Sequence, residues 1–194
     1  MAKSSTSIYG FSLKKGLYGV ENPASMDFII EDSATITIGD PVRLDTSGYL
    51  KRSAAGEPIL GICVGLVDKG GINVFSPRVA GTTGATLSPD DTVAASSTNA
   101  SDASRNLKAQ VVLDPAGALL WWNDSDGTLS QSSVGQHFDV GSTVGRISAT
   151  TASDSNGQFQ LVALDSDDTT AGYFRIAECQ LGIGLNEATT KISA

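Results

Sequence analysis

Residues 59–66 read ILGICVGL, an apolar run broken only by the glycines at 61 and 65. A run of this kind fits a central strand, and glycine within a strand marks a kink or a close backbone approach. On either side the chain breaks into short segments of similar character: Asp27–Glu31, Thr35–Ile38, Asp40–Leu44, Tyr49–Arg52 and Ile72–Phe75. Between them lie Gly39-Asp40, Ser47-Gly48, Gly56-Glu57-Pro58 and Lys69-Gly70-Gly71. These residues accept the dihedral angles of tight turns. Strands at this spacing predict a mainly β fold made of small β-barrel or sandwich regions.

Further out, a second β region is expected over 109–172, with strands at Ala109–Leu113, Ala118–Trp122, Thr128–Leu129, His137–Val140, Thr143–Ile147 and Gln158–Leu164. Gln158 to Leu161 alternates polar and apolar, as a strand with one wet face should. The first region, 26–80, is expected to be completed by a return of 173–186, where Tyr173–Ile176 and Leu181–Leu185 are apolar. Residues 81–108, rich in Ser, Thr, Ala and Asp, read as a loop or linker, and 187–194 as a tail. Residues 1–25 mix Ser, Gly and Lys with isolated Tyr9, Phe11, Leu13, Leu17 and Tyr18. Such a segment buries little by itself and reads as an extended N-terminal arm lying on its own domain or on a neighbouring subunit.

The 194 residues suffice to bury a sizeable core without staples. Residues 1–80 carry 8 Lys/Arg against 8 Asp/Glu, and residues 81–194 carry 5 against 13, so the net charge of −8 belongs to the second part. An acidic surface repels phosphate backbones and anionic lipid, so neither nucleic acid nor membrane is expected as a partner. Cys63 and Cys179 have no metal or redox spacing and read as buried free thiols, which suits a reducing compartment. No apolar run reaches the roughly 18 residues of a membrane span, and no signal peptide is evident, so the protein is expected to stay in the cytoplasm where it is made.

Residues for chemistry are sparse. His137 is the sole histidine, and Asp139, two positions on, shares its strand face, but no nucleophile motif accompanies them. Asp124-Ser-Asp126-Gly and Asp165-Ser-Asp-Asp168 are fragments of calcium loops without a closing Glu and read as acidic turns. No phosphate loop or dinucleotide glycine pattern is present, so no cofactor or metal is expected and the chain reads as a non-enzyme. Trp121-Trp122 places two indoles on opposite sheet faces, one for the core and one available to an interface or a sugar.

Two stretches carry a resemblance. Residues 36–66, ITIGDPVRLDTSGYLKRSAAGEPILGICVGL, and residues 109–177, with VGQHFDV, TVGRI, FQLVALD and YFRIA, are similar to small structural proteins of tailed-bacteriophage heads. The resemblance implies a capsid decoration, or cement, protein: a structural virion protein on the outer capsid surface, often a homotrimer, that bridges major capsid protein subunits. It is a likeness of strands and turns and carries over no site residues. The neutral first part, with Lys14, Lys15, Tyr18, Arg43, Lys51 and Arg52, is the face expected to meet the capsid. A receptor- or carbohydrate-binding module of a phage tail or fibre is the alternative, suggested by Trp121-Trp122 and the β composition.

Overall fold

The computed structural model describes residues 8–16, 23–31, 34, 36–67, 73–74, 78–79, 108–141, 145–151, 157–177 and 180. Its strands are β1 (Ile8–Tyr9), β2 (Ser12–Gly16), β3 (Ser25–Ile29), β4 (Pro41–Leu44), β5 (Leu50–Arg52), β6 (Gly61–Val67), β7 (Asn73–Val74), β8 (Arg78–Val79), β9 (Lys108–Leu113), β10 (Leu119–Asp124), β11 (His137–Val140), β12 (Ile147–Thr151), β13 (Phe159–Leu164) and β14 (Ala171–Ile176). Among the described residues the only helical element is a 3₁₀ turn at Gln131–Ser133. The protein is mainly β.

The first sheet runs β3-β9-β6-β4-β5, with β7 paired to the far half of β6; the second runs β12-β11-β13-β14-β10-β2; β1 and β8 form a two-stranded ribbon. Pairing between the strands is antiparallel throughout. β6 is central, as its sequence requires, because both of its faces are buried. Ile62 joins the cluster between the sheets, with Phe11, Ile59 and Val112 against Trp121, Phe138, Phe159, Leu161, Phe174 and Ile176. Its neighbour Cys63 points the other way, among Ile30, Ile36, Val42, Leu50, Leu60, Leu66 and Val111. A parallel bridge between Ile30 and Leu50 joins the two ends of the first sheet, which therefore curls around this second cluster. Gly61 is the close approach expected of a strand glycine, since a Cβ there would run into the Val112 carbonyl.

Tyr173–Ile176 lies in β14, between β10 and β13 of the second sheet, and does not return to the first. The exchange between regions goes elsewhere. β9, expected to open the second region, is a strand of the first sheet, paired with β3 and β6. β2, from the expected arm, closes the second. The reason is hydrophobic: Phe11, one residue before β2, is 5% exposed and stacks on Phe159 with ring centroids 4.4 Å apart, an anchor an isolated arm would lack. Residues 81–107 and 181–194, with the expected linker and tail, lie outside the described residues.

Candidate interaction surface

The two adjacent tryptophans divide as strand alternation demands. Trp121 is fully buried in the core between the sheets, while Trp122 stays half-buried on the opposite face, beside Ser12 of β2 and Tyr173 of β14. The Trp122 indole N–H donates to Asp165 Oδ2 at 2.7 Å, which fixes the ring. Lys14 Nζ lies 5.6 Å from the ring centroid, within reach of a cation–π contact. Lys14 and Lys15 are both exposed on β2, the last strand of its sheet.

The other cations expected at an interface lie on the first sheet. Arg43 of β4 and Lys51 of β5 are cross-strand partners, and Arg52 opposes Val42. Arg43 is held by Glu57 through two hydrogen bonds, Nε to Oε2 at 2.8 Å and an N–H to Oε1 at 2.6 Å. Lys51 sits 3.8 Å from Glu31. Burial works against the Glu57 charge, but the Arg43 hydrogen bond, the Ala54 N–H and the charges of Arg43 and Lys51 outweigh it and keep its carboxyl below the ordinary value. Arg43 and Lys51 thus have carboxylate neighbours, whereas Arg52, Lys14 and Lys15 have none among the described residues. The six expected contact residues therefore do not form one basic patch. They divide between two sheets, and Tyr18 lies outside the described residues.

Two glutamines that sequence reasoning passed over fasten the sheets together. Gln158, fully buried, donates through its side-chain amide to the Ala54 carbonyl at 2.7 Å and the Glu57 carbonyl at 2.5 Å, and accepts from the Val140 N–H at 2.8 Å. One side chain thus ties β11 to the loop before β6. Gln180 satisfies both backbone groups of Leu44, accepting from its N–H at 2.8 Å and donating to its carbonyl at 3.1 Å. Glutamine at a strand end gives no pattern in sequence that separates such a tie from a solvated side chain.

Most of the carboxylates considered for chemistry accept backbone N–H groups. Asp139 accepts the Gln158 N–H at 3.3 Å, while His137 opposes Gln160 of β13 in the strand register. Asp126 accepts from the Ala149 N–H at 2.6 Å, Asp165 from the Asp167 N–H at 3.0 Å, and Asp168 from the Thr170 N–H at 2.8 Å and hydroxyl at 2.7 Å. The Asp165 and Asp168 contacts brace their own turn, and the Asp126 contact reaches β12. Among the described residues no three His, Cys, Asp or Glu side chains converge as a metal site would require. Cys63 is a buried free thiol, with burial, and then the nearby Asp40 charge, raising its pKa well above the ordinary value. Cys179 lies outside the described residues. The chain matches no protein-family model and no curated protein.

Proposed function

We propose that this chain is a structural, non-enzymatic virion protein that binds the outer surface of a phage capsid and stabilises it by bridging major capsid protein subunits, itself assembled as a homotrimer. The supporting observation is the rim of the second sheet: Lys14 and Lys15 exposed on a terminal strand, next to a fixed, half-exposed Trp122, on a body braced by cross-sheet ties. A tryptophan held in one orientation suits an interface anchor, and the lysines beside it favour a partner of opposite charge. The resemblance of residues 36–66 and 109–177 to head proteins supplies the assembly.

The test is binding to empty phage heads stripped of decoration protein. Saturable binding to the outer surface, with heads more resistant to heat, is expected, and a Lys14→Glu/Lys15→Glu variant of unchanged melting temperature should lose occupancy. Heads that bind none of the chain overturn the reading. Truncating residues 1–20 is a poor test, because it also removes Phe11 from the core. The half-exposed, fixed Trp122 indole supports a second reading, a carbohydrate- or receptor-binding module of a tail or fibre. Mass spectrometry of separated heads and tails distinguishes the two.

A further inference from the structure

β2 ends the second sheet, and among the described residues no strand pairs with its outer side. Ser12, Leu13, Lys14 and Lys15 are all exposed, Leu13 at 38%. Successive strand residues point to opposite faces, so four exposed in a row leave neither face of β2 covered. The register against β10 shifts between Lys15 and Leu13, leaving Lys14 as the extra residue. Lysines and bulges protect an edge from pairing with a copy of itself. Two copies of Ser12–Gly16 laid antiparallel would bring lysines together, and like charges at such close range are repulsive. The same lysines favour a strand of opposite charge: Arg43 and Lys51 have carboxylate neighbours at 2.6 and 3.8 Å, while Lys14, which lies over the Trp122 ring, and Lys15 have none among the described residues.

We propose that the outer side of β2 accepts an extended acidic strand of a partner protein, which adds to the second sheet beside Ser12–Gly16. Its main chain pairs with the outer edge of β2, its carboxylates lie near Lys14 and Lys15, and its apolar residues, on the same face as Trp121, cover Leu13. Backbone pairing supplies affinity and the side chains supply selection. Assigning the strand to a capsid subunit rests on the function proposed above; the preference of this edge for an acidic strand does not.

The probe is a short peptide alternating Val and Glu, titrated into the full isotope-labelled chain while amide shifts and hydrogen exchange are followed by NMR. Controls are a Val–Lys peptide and a Val–Glu peptide N-methylated on the side that would pair. Slowed exchange confined to Ser12–Gly16 and its neighbours is expected with the Val–Glu peptide alone. Lys14→Glu/Lys15→Glu should weaken it on the order of tenfold and transfer the preference to the Val–Lys peptide. Absence of binding, equal response to both peptides, or indifference to N-methylation overturns the proposal. Head occupancy without peptide binding defeats this inference and leaves the function standing; peptide binding without head occupancy does the reverse.

Discussion

Gly10 and Gly39 meet backbone to backbone where the chain enters β2. Both have positive φ, +114° and +90°, and the Phe11 N–H donates to the Gly39 carbonyl at 2.9 Å. A Cβ on Gly10 would lie 3.1 Å from the Gly39 Cα, and one on Gly39 would lie 3.0 Å from the Gly10 Cα. Gly39 in turn donates to the Cys63 carbonyl at 2.7 Å, so this crossing couples β2 to the central strand of the first sheet. Gly10→Ala and Gly39→Ala should each destabilise the fold by about 1–3 kcal/mol, through backbone strain and the lost contact. Urea denaturation of the two variants and their double mutant checks this. A double-mutant loss well below the sum of the single losses would show that the two glycines act as one contact.

The tryptophan pair offers a sharper contrast, because adjacent residues of identical chemistry have opposite surroundings. Trp121 is fully buried among Phe138, Phe159 and Phe174. Trp121→Ala should cost about 3–5 kcal/mol. Trp122→Ala removes a half-exposed ring and one hydrogen bond to Asp165, and should cost about 1 kcal/mol. Thermal melts of the two variants measure the difference, and similar losses would refute the assignment of faces.

That division was legible in the sequence because strand period alone dictates it, as was the centrality of residues 59–66, whose continuous apolar run fits a strand buried on both faces. Strand partners were less legible. Nothing local tells β9 and β10, separated by the short turn 114–118, to join different sheets, and nothing local tells Tyr173–Ile176 to stay in the second. Those choices follow from non-local packing, in which Phe11 seated on Phe159 draws β2 into the second sheet. Among the expected contact residues, the exposure of Lys14 and Lys15 agrees with their polar sequence context. The neutralisation of Arg43 by Glu57, 14 positions away, depends on the fold and leaves no local signal.

Gln158 should behave as a structural residue despite its polarity. Gln158→Leu keeps the approximate volume but strands the Val140 N–H and leaves the Ala54 and Glu57 carbonyls without their donor. Leaving buried polar groups unsatisfied costs about 1–3 kcal/mol each where water cannot reach them. A loss of about 2–4 kcal/mol is expected, read from the urea midpoint, with slowed-exchange protection of the Val140 amide abolished. Retention of that protection in the variant would contradict the tie.

Acid should unfold the protein partly through Glu57. The unfolded chain protonates this side chain near its ordinary value of 4.5, and the folded chain does so at lower pH. Between those values the unfolded state binds more protons, so the Arg43–Glu57 contribution is present above about pH 4.5 and is lost as pH falls through the folded value. Asp114 runs in the opposite sense. Burial raises its pKa above the ordinary 3.8, against the opposing Ala118 and Leu119 N–H groups, so acidification protonates the folded form first. Its contribution is present at low pH and lost as pH rises through the folded value. Glu57→Gln should therefore lower stability at pH 7 by about 1 kcal/mol or less, since the ion pair is partly solvated, and should cost progressively less towards pH 3. Asp114→Asn keeps one acceptor oxygen for the Ala118 or Leu119 N–H and removes the buried charge, so its stability relative to wild type should improve as pH rises from 3 to 7. Urea midpoints of the three proteins across that range decide it. Parallel pH profiles for wild type and Glu57→Gln would mean that the ion pair contributes nothing to the acid limb.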